Sequence, residues 1–559
     1  MRSVPTRNFV TPPFLVGTLL LFCALTFYYF AVLKIDYHKT PLLDLGPYPD
    51  AVEYFGQAKA MLKDGWPSIK IEYDKLPSRY PPGYPALMLP WLKTLSESDS
   101  ILAPFRTNQT IGLLLLLAVF GFYAYLARPL AGGFAALLLA TLPGFFTFCR
   151  SSLSETSASM FVVLAFMFAY LGLVKERRWK IYLSAIFLGL SLNIRMQSLF
   201  FAPLLSAMPL FPAKGAPLRW FLHCAAVPLV FLVAASPVLI LNTVELHSPF
   251  KTGYDFWLAG FPHGLFSLHY IPRSAAMLWR EFALRPKGYN VANIFGTGTY
   301  FVAAFVLLIC GGLFFIRISR FVICAFLAGV SFLAVTASYK FLDVGFYLLL
   351  LILLVAIAVL PASWAARNLF ARKRAVAALA IFVLVAAACV GYPSRSGYNP
   401  AKTGRSQAWD ALHFTTPPRE SARFIAQRHF LELSGRESGV VLSDIDPVYL
   451  NALLPDQFVA APLDETHNYR YSRLWRYGKL EALAFVTKAL TNSSPVYALF
   501  VSQKEIEEKA SRLPELEGYE WIAIQSPANE AAVLKLSPRE PMKGATSRRY
   551  SPIPLAPPI

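Results

Sequence analysis

Two carboxylates stand one helical turn apart in Asp50-Ala-Val-Glu53-Tyr54, where an amphipathic stretch begins that runs to Leu62. A spacing of three puts both on one side of a helix. Carboxylates so placed can serve in several ways. Asp50 can take a proton from a hydroxyl or amine that is to act as a nucleophile. Asp50 and Glu53 together can share a divalent cation with a substrate phosphate. Asp50 can also simply cap the helix, since Asp50-x-x-Glu53 is a capping-box-like start. A cap would fix the carboxylate in place, so the first and last uses are compatible. Tyr54 either lines a site with its hydroxyl or packs on the loop helix, and packing is the plainer reading. Further on, Arg79 opens Arg79-Tyr-Pro-Pro-Gly-Tyr-Pro85. Its guanidinium fork suits phosphate oxygens; a solvated or headgroup-anchoring arginine is the bland alternative.

Other ionisable residues sit at the ends of apolar runs. Glu155 lies in Ser-Ser-Leu-Ser-Glu155-Thr, and Arg195 in Asn193-Ile-Arg-Met-Gln197. Ionisable groups near membrane depth face a cavity or a partner, so Glu155 and Arg195 either line a site or pair with each other. Lys340 and Asp343 occur in Tyr339-Lys-Phe-Leu-Asp-Val-Gly345. The lone His247 reads as an interfacial polar residue rather than a ligand. No His/Cys set supports zinc, which leaves a divalent cation as an open question.

The elements that must position these residues are membrane spans. The 559 residues are 56% hydrophobic and only 15% charged, with a mean hydropathy of +0.47, which marks an integral membrane protein. The net charge of +19 does not indicate nucleic acid, because many basic residues sit in short loops between apolar runs. The six cysteines lie in or beside apolar runs and form no disulfide framework. Apolar runs predict about eleven spans: Pro13–Ile35, Thr110–Ala127, Leu130–Phe148, Ala158–Val174, Ile181–Ile194, Leu199–Phe211, Trp220–Leu241, Thr299–Ile316, Phe321–Val335, Val344–Leu360 and Ala375–Val390. The fifth and sixth are short, and are either tilted or a broken re-entrant pair. The first, with basic flanks and no cleavage site after it, reads as a retained signal-anchor. With the N-terminus inside, every inner loop carries Lys or Arg, which orients the chain.

Residues 1–392 then form the membrane module, with outer loops at 36–109 and 242–298. Residues 393–419 read as a linker and 538–559 as a disordered tail. Between them, 420–537 alternates helix and strand: helices at Ser421–Leu433, Leu480–Leu490 and Lys504–Arg512, and strands at Gly439–Ser443, Phe458–Ala461, Tyr497–Ser502, Trp521–Gln525 and Ala531–Leu536. That pattern predicts a small α/β domain outside the membrane. Asn108-Gln-Thr and Asn492-Ser-Ser are glycosylation tripeptides on the outer side, of a kind that arises often by chance.

An acid just outside the first span, followed by Tyr80-Pro-Pro in the same loop, resembles the GT-C superfamily of multispan glycosyltransferases. The nearest likeness is to the lipid A aminoarabinose transferases and the protein O-mannosyltransferase-like branch. An acid in the turn of Glu155 also recurs in that superfamily. Asn242 to Tyr254 is similar to an Asn-x(n)-Gly-x-Pro-x(n)-Gly-Tyr segment of that branch, with His247 in the place of the first Gly. The chain departs from the pattern elsewhere too. Tyr80 replaces a Lys before the Pro pair, and Gly345 replaces the Arg of an Asp-x-Arg-Tyr or Asp-x-Arg-Phe element. The resemblance implies a polytopic fold with an α/β ectodomain and a polyprenyl-phosphate sugar as donor. The acceptor is a lipid, glycan or protein. Asp50 would be the base, and inversion at the anomeric carbon the outcome. Arg79, Arg195 or Lys340 would hold the leaving phosphate, with Glu53, Tyr54, Glu155 and Asp343 around the substrates. It implies a bacterial inner (plasma) membrane with the site on the periplasmic side, the endoplasmic reticulum being the alternative. The rival readings are a transporter or lipid flippase, and a non-catalytic scaffold with a partner-binding ectodomain. Sugar, acceptor, metal and oligomeric state stay open.

Overall fold

The computed structural model describes residues 12–39, 49–71, 74–126, 128–211, 217–253, 263–282, 320–340, 422–463, 482–524 and 532–539. A few isolated positions add to these, and short gaps fall within 422–463 and 482–524. The expected spans Thr299–Ile316 and Ala375–Val390, most of Val344–Leu360, the linker, Asp343 and the tail past 539 lie outside the described residues.

Among the described residues five helices are long and apolar enough to cross a membrane: Phe14–Leu33, Ser100–Tyr125, Glu155–Val174, Pro217–Leu246 and Arg320–Ala337. The first comprises helix α1 (Pro12–Tyr28) and a wider π turn over Tyr29–Leu33. Helices α7 (Glu155–Val174) and α8 (Arg178–Ile194) follow the expected runs closely, whereas α4 (Ala103–Tyr125) begins seven residues before its expected run. The run Leu130–Phe148 is divided into α5 (Pro129–Thr141) and α6 (Pro143–Cys149). Pro143 is the reason: it drives Leu142 out of the helical region, to ψ 114°. Beyond α8 the chain breaks at Arg195, which is extended, and continues as a 3₁₀ helix over Met196–Ala207. The fifth and sixth runs are therefore a broken pair. Helix α9 (Pro217–Leu246) outruns its expected span at both ends, and α11 (Arg320–Ala337) follows the α10 segment (Ile271–Phe282) of the second outer loop.

Small residues bring α1 and α5 together. A Cβ at Gly133 would collide with the Gly17 carbonyl oxygen, and one at Gly17 with the Pro129 carbonyl. Close approach through small residues is how helices associate where lipid removes the hydrophobic drive.

The first outer loop is more structured than an amphipathic stretch and a Pro-Pro turn suggest. Helix α2 (Pro49–Asp64) leads into a hairpin, β1 (Ile69–Ile71) and β2 (Asp74–Leu76), and then α3 (Gly83–Thr94). Prolines at 85 and 90 disguise α3 in the sequence. A proline in the first turn costs little, since that amide has no helical acceptor. Tyr84, Met88 and Leu92, spaced by four, carry its buried face.

The C-terminal domain holds a five-stranded sheet in the order β4-β3-β5-β7-β6. The strands are β3 (Gly439–Ser443), β4 (Phe458–Pro462), β5 (Val496–Phe500), β6 (Tyr519–Ile524) and β7 (Ala532–Pro538). Strand β3 pairs parallel with β4 and β5, while β7 runs antiparallel to β5 and β6. Helices α12 (Ala422–Leu433) and α14 (Ala482–Thr491) match the pattern. Of the expected Lys504–Arg512 helix, the described residues Ile506, Glu508 and Lys509 are α-helical and a 3₁₀ turn over Ala510–Arg512 ends it. A helix absent from the sequence reading, α13 (Pro447–Leu453), connects β3 to β4 and packs on α2 and β1.

Candidate active site

The expected site residues start from α2. Pro49 takes the first helical position, where its fixed φ fits and its missing N–H is not needed. Asp50 therefore lies inside the first turn rather than ahead of it, and is not the N-cap that its spacing to Glu53 suggested. It still faces the positive end of the helix dipole. Asp50 is half-buried, whereas Glu53, Tyr54 and Gln57, on the same side of α2, are buried.

Glu53 and Arg79 form a buried ion pair. Arg79 Nε donates to Glu53 Oε1 at 2.6 Å, and Arg79 Nη2 reaches the same oxygen. The other oxygen, Oε2, accepts from Ser78 Oγ at 3.1 Å and from the Arg79 amide at 3.2 Å. Burial works against the guanidinium charge, but Glu53 beside it holds the Arg79 pKa above the usual arginine range. The guanidinium also lies over the Tyr80 ring, 5.1 Å from its centroid. Gly253 of the second outer loop packs so closely on Arg79 that a Cβ there would meet the Arg79 backbone. The glycine in the Asn242–Tyr254 segment is thus required by close approach.

A second cluster joins α2 to the α6–α7 turn and to the break after α8. The Tyr54 hydroxyl lies 3.0 Å from Ser154 Oγ. Arg195 Nη1 donates to Ser154 Oγ at 3.2 Å and pairs with Glu155 Oε1 at 3.0 Å. Glu155 and Arg195 are therefore an ion pair, the structural alternative that the sequence left open. Burial raises the Tyr54 pKa well beyond the ordinary phenol range, with Arg195 opposing and Asp50 and Glu155 reinforcing the shift. Tyr54 stays a neutral hydroxyl at any working pH. Asp50 acts electrostatically on both Tyr54 and Arg79, so it belongs with both clusters.

Polar groups inside the bundle fix this arrangement. Asn193 Nδ2 donates to the Ala234 carbonyl at 2.7 Å, and its Oδ1 accepts from the Val238 amide at 2.9 Å. An unbroken helix would join that carbonyl and amide directly; here, beside Pro237, Asn193 bridges them and sets the backbone of Arg195 against α9. Asn108, buried in α4, donates to the carbonyls of Ser151 and Leu153 and to the Tyr84 hydroxyl, and accepts from Ser157 Oγ. It holds the turn ahead of Glu155, and its burial removes it as a glycosylation acceptor. Sequence reasoning gave no role to Asn108, Asn193 or Ser154. Ser154 had a signal in the Ser-rich run before Glu155, and Asn193 in its place at the break before Arg195.

Lys340 lies with the second outer loop, where its amide bonds the Leu265 carbonyl at 2.9 Å. His247 follows α9 in the left-handed region, φ 58°, which explains why a glycine suits that position. Among the described residues no group of three or more His, Cys, Asp or Glu is set to hold a metal. Both Glu53 oxygens already accept from Ser78 and Arg79, so the Asp50–Glu53 pair does not fit a divalent clamp.

No family model and no curated protein matches the chain. Solved structures do. ArnT from Cupriavidus metallidurans bound to undecaprenyl phosphate superimposes with a TM-score of 0.56 at 12% identity, over 93% of this chain and 97% of that one. The chain shares the fold of that protein. The apo form of the same protein gives 0.56 at 14% identity, with the same coverage. The apo oligosaccharyltransferase of Archaeoglobus fulgidus gives 0.51 at 12% identity, over 88% of this chain and 70% of that chain. The shared fold and the five membrane-length apolar helices among the described residues mark the chain as a polytopic integral membrane protein with a C-terminal domain.

Proposed function

We propose that this GT-C protein is a glycosyltransferase that moves a sugar from a polyprenyl-phosphate carrier to an acceptor on the outer face of the membrane. The observation that carries the reading is the setting of Asp50. It is a half-buried carboxylate at the positive end of α2, acting electrostatically on both buried charge clusters. Asp50 takes the proton from the acceptor hydroxyl or amine. The freed electron pair attacks the anomeric carbon, the bond from that carbon to the phosphate oxygen breaks, and the carrier phosphate leaves. Attack opposite the leaving group inverts the anomeric centre. Negative charge grows on the phosphate as it leaves, so a cation beside it lowers the barrier. Arg195 suits that role better than Arg79. Its guanidinium side chain keeps 13% exposure, whereas that of Arg79 keeps 1% and has two of its nitrogens on Glu53. In this reading Glu53 and Arg79 hold the loop, Glu155 and Ser154 orient Arg195, and Tyr54 supplies a neutral hydroxyl. Lys340 and Asp343 are candidates for the acceptor or carrier side of the second loop. The natural setting is the bacterial plasma membrane.

Asp50→Asn tests the reading. The variant keeps its fold and its donor binding but loses turnover by about 10²–10⁴-fold, the usual worth of a general base. Transfer within a few-fold of wild type would remove Asp50 from the role.

A further inference from the structure

The end of α2 remote from Asp50 is gripped by the C-terminal domain. Lys59 Nζ donates to the carbonyls of Ala452 at 2.8 Å and Leu454 at 3.3 Å. Lys70 Nζ, on β1, donates to the carbonyls of Asp456 at 2.9 Å and Phe458 at 2.8 Å. Lys63 pairs with the Asp456 carboxylate. The Lys59 ammonium meets the C-terminal end of α13, where carbonyls lack helical partners and the dipole is negative. Burying an ammonium is costly unless its donors are filled, and here backbone carbonyls fill them. A Cβ built at Gly56 would stand 3.8 Å from Ala452 Cβ, so the two backbones meet in ordinary contact beside the lysines.

Spacings of three and four put Gly56, Lys59 and Lys63 on one face of α2, while Asp50, Glu53, Tyr54 and Gln57 share another. The helix thus has the site on one face and the ectodomain on the other. At 1.5 Å per residue it is about 24 Å long and rigid, so a grip on its far end fixes the aim of its first turn.

We propose that the C-terminal α/β domain is a positioning element of the transfer site, with Lys59 and Lys70 as positioning residues that hold α2, and through it Asp50, by binding the carbonyls of 452–458. The proposal rests on the glycosyltransferase reading, whereas the docking contact does not. A reacting group displaced by about 1 Å loses on the order of 10²-fold in rate, so loosening α2 lowers turnover more than donor binding.

The test uses the full-length protein in lipid nanodiscs, with Lys59→Met/Lys70→Met compared with wild type. A Gly56→Cys/Ala452→Cys pair is added in both backgrounds, because a Cβ separation near 3.8 Å is that of a disulfide. Two readouts are taken: kcat and KM with a polyprenyl-phosphate sugar, and hydrogen exchange of amides 50–57. The lysine variant is expected to exchange faster over 50–57 and to lose about 10–100-fold in kcat with KM for the donor nearly constant. Oxidation to the 56–452 disulfide should restore both, and reduction should abolish the rescue. Unchanged exchange and kcat in the lysine variant would overturn the proposal. So would a disulfide that restores slow exchange but not turnover. Either single lysine variant carries the test if the double variant fails to fold. If wild type itself transfers no sugar from any carrier, the glycosyltransferase reading falls and the catalytic positioning with it, while exchange still reports whether the domain holds α2.

Discussion

At the residue scale, two arginines with the same charge are set in different surroundings. Arg79 lies in a nearly dry ion pair with Glu53, and removing one partner of such a pair strands the other charge. Glu53→Gln is therefore expected to cost about 3–5 kcal/mol of stability, read as a lower midpoint of unfolding in detergent. Arg195 shares its guanidinium with Ser154, Glu155 and Gln197 and retains contact with the site side. Arg195→Ala alone would strand the buried Glu155, so it is paired with Glu155→Gln. That double variant is expected to unfold at nearly the wild-type temperature while losing turnover; Arg195→Lys should keep part of the turnover, since the ammonium keeps the charge without the planar fork. A loss of stability in the double variant as large as in Glu53→Gln would make Arg195 structural. The acids and cations themselves were visible in the sequence because ionisable groups are scarce in apolar runs. Of their partners only the Glu155–Arg195 pair was, as one of two readings. Glu53 and Arg79 are 26 residues apart, and Tyr54 and Ser154 are 100 apart, so no local pattern could join them. Asn108 and Asn193 look like any polar residue near a helix end, and only the fold shows the carbonyls they satisfy.

At the element scale, legibility followed periodicity and failed at proline. Strand β3 matches its expected bounds, Gly439–Ser443, because a short apolar run between polar neighbours has few alternatives. Helices α3 and α13 were unreadable because prolines at their starts look like loop. The helix ends carry predictions. His247 holds a left-handed conformation that costs a β-carbon roughly 1–2 kcal/mol. His247→Gly should therefore raise the melting temperature slightly and leave transfer intact, and a fall would show that the imidazole is needed.

The lysine contact predicts a pH response of unexpected sign. Burial pulls the Lys70 pKa down from 10.5 to about 8 and lowers that of Lys59 as well. Between pH 8 and 10.5 the undocked state therefore binds more protons than the docked one, and raising the pH across that window favours docking. The groups facing them do not reverse this. Burial pushes the Asp456 pKa up, but Lys63 overrides it and holds the carboxyl ionised throughout. Bonding to Asp456 raises the Lys63 pKa, so Lys63 loses its charge only above the window. Lys75, paired with Asp64, has the same charge as Lys70 and opposes its protonation. Nitroxide labels at Leu62 and Leu483, both exposed, should report a docked fraction that grows from pH 8 to 10.5 in a Lys63→Ala background. A fraction that shrinks over that range would contradict the assignment.

At the scale of the whole molecule, every cluster described lies at one end of the helical bundle. Lys175, Arg177 and Arg178 lie at the other, between α7 and α8. The rule that short inner loops are basic puts that end in the cytoplasm. Cysteines at Lys175 and at Leu483, both exposed, should react with a membrane-impermeant maleimide from opposite sides, Leu483 from the outer one. Labelling of both from one side would refute the orientation. The bundle's layout was largely legible from hydropathy. The seating of the ectodomain on α2 was not, because it is written in backbone carbonyls, which every residue has.

The contact between Lys59 and Ala452 spans 393 positions of chain. A polypeptide emerges from the ribosome in order, so α2 is made long before the carbonyls that hold it. During that interval the helix has its inward contacts alone. On the proposed role of the C-terminal domain, a chain that stops short of residue 447 would still insert its spans and bury Glu53 on Arg79, yet would be idle as a transferase. Completion of translation would then serve as the assembly signal, and under the proposed function an unfinished copy would spend no carrier lipid while it waits.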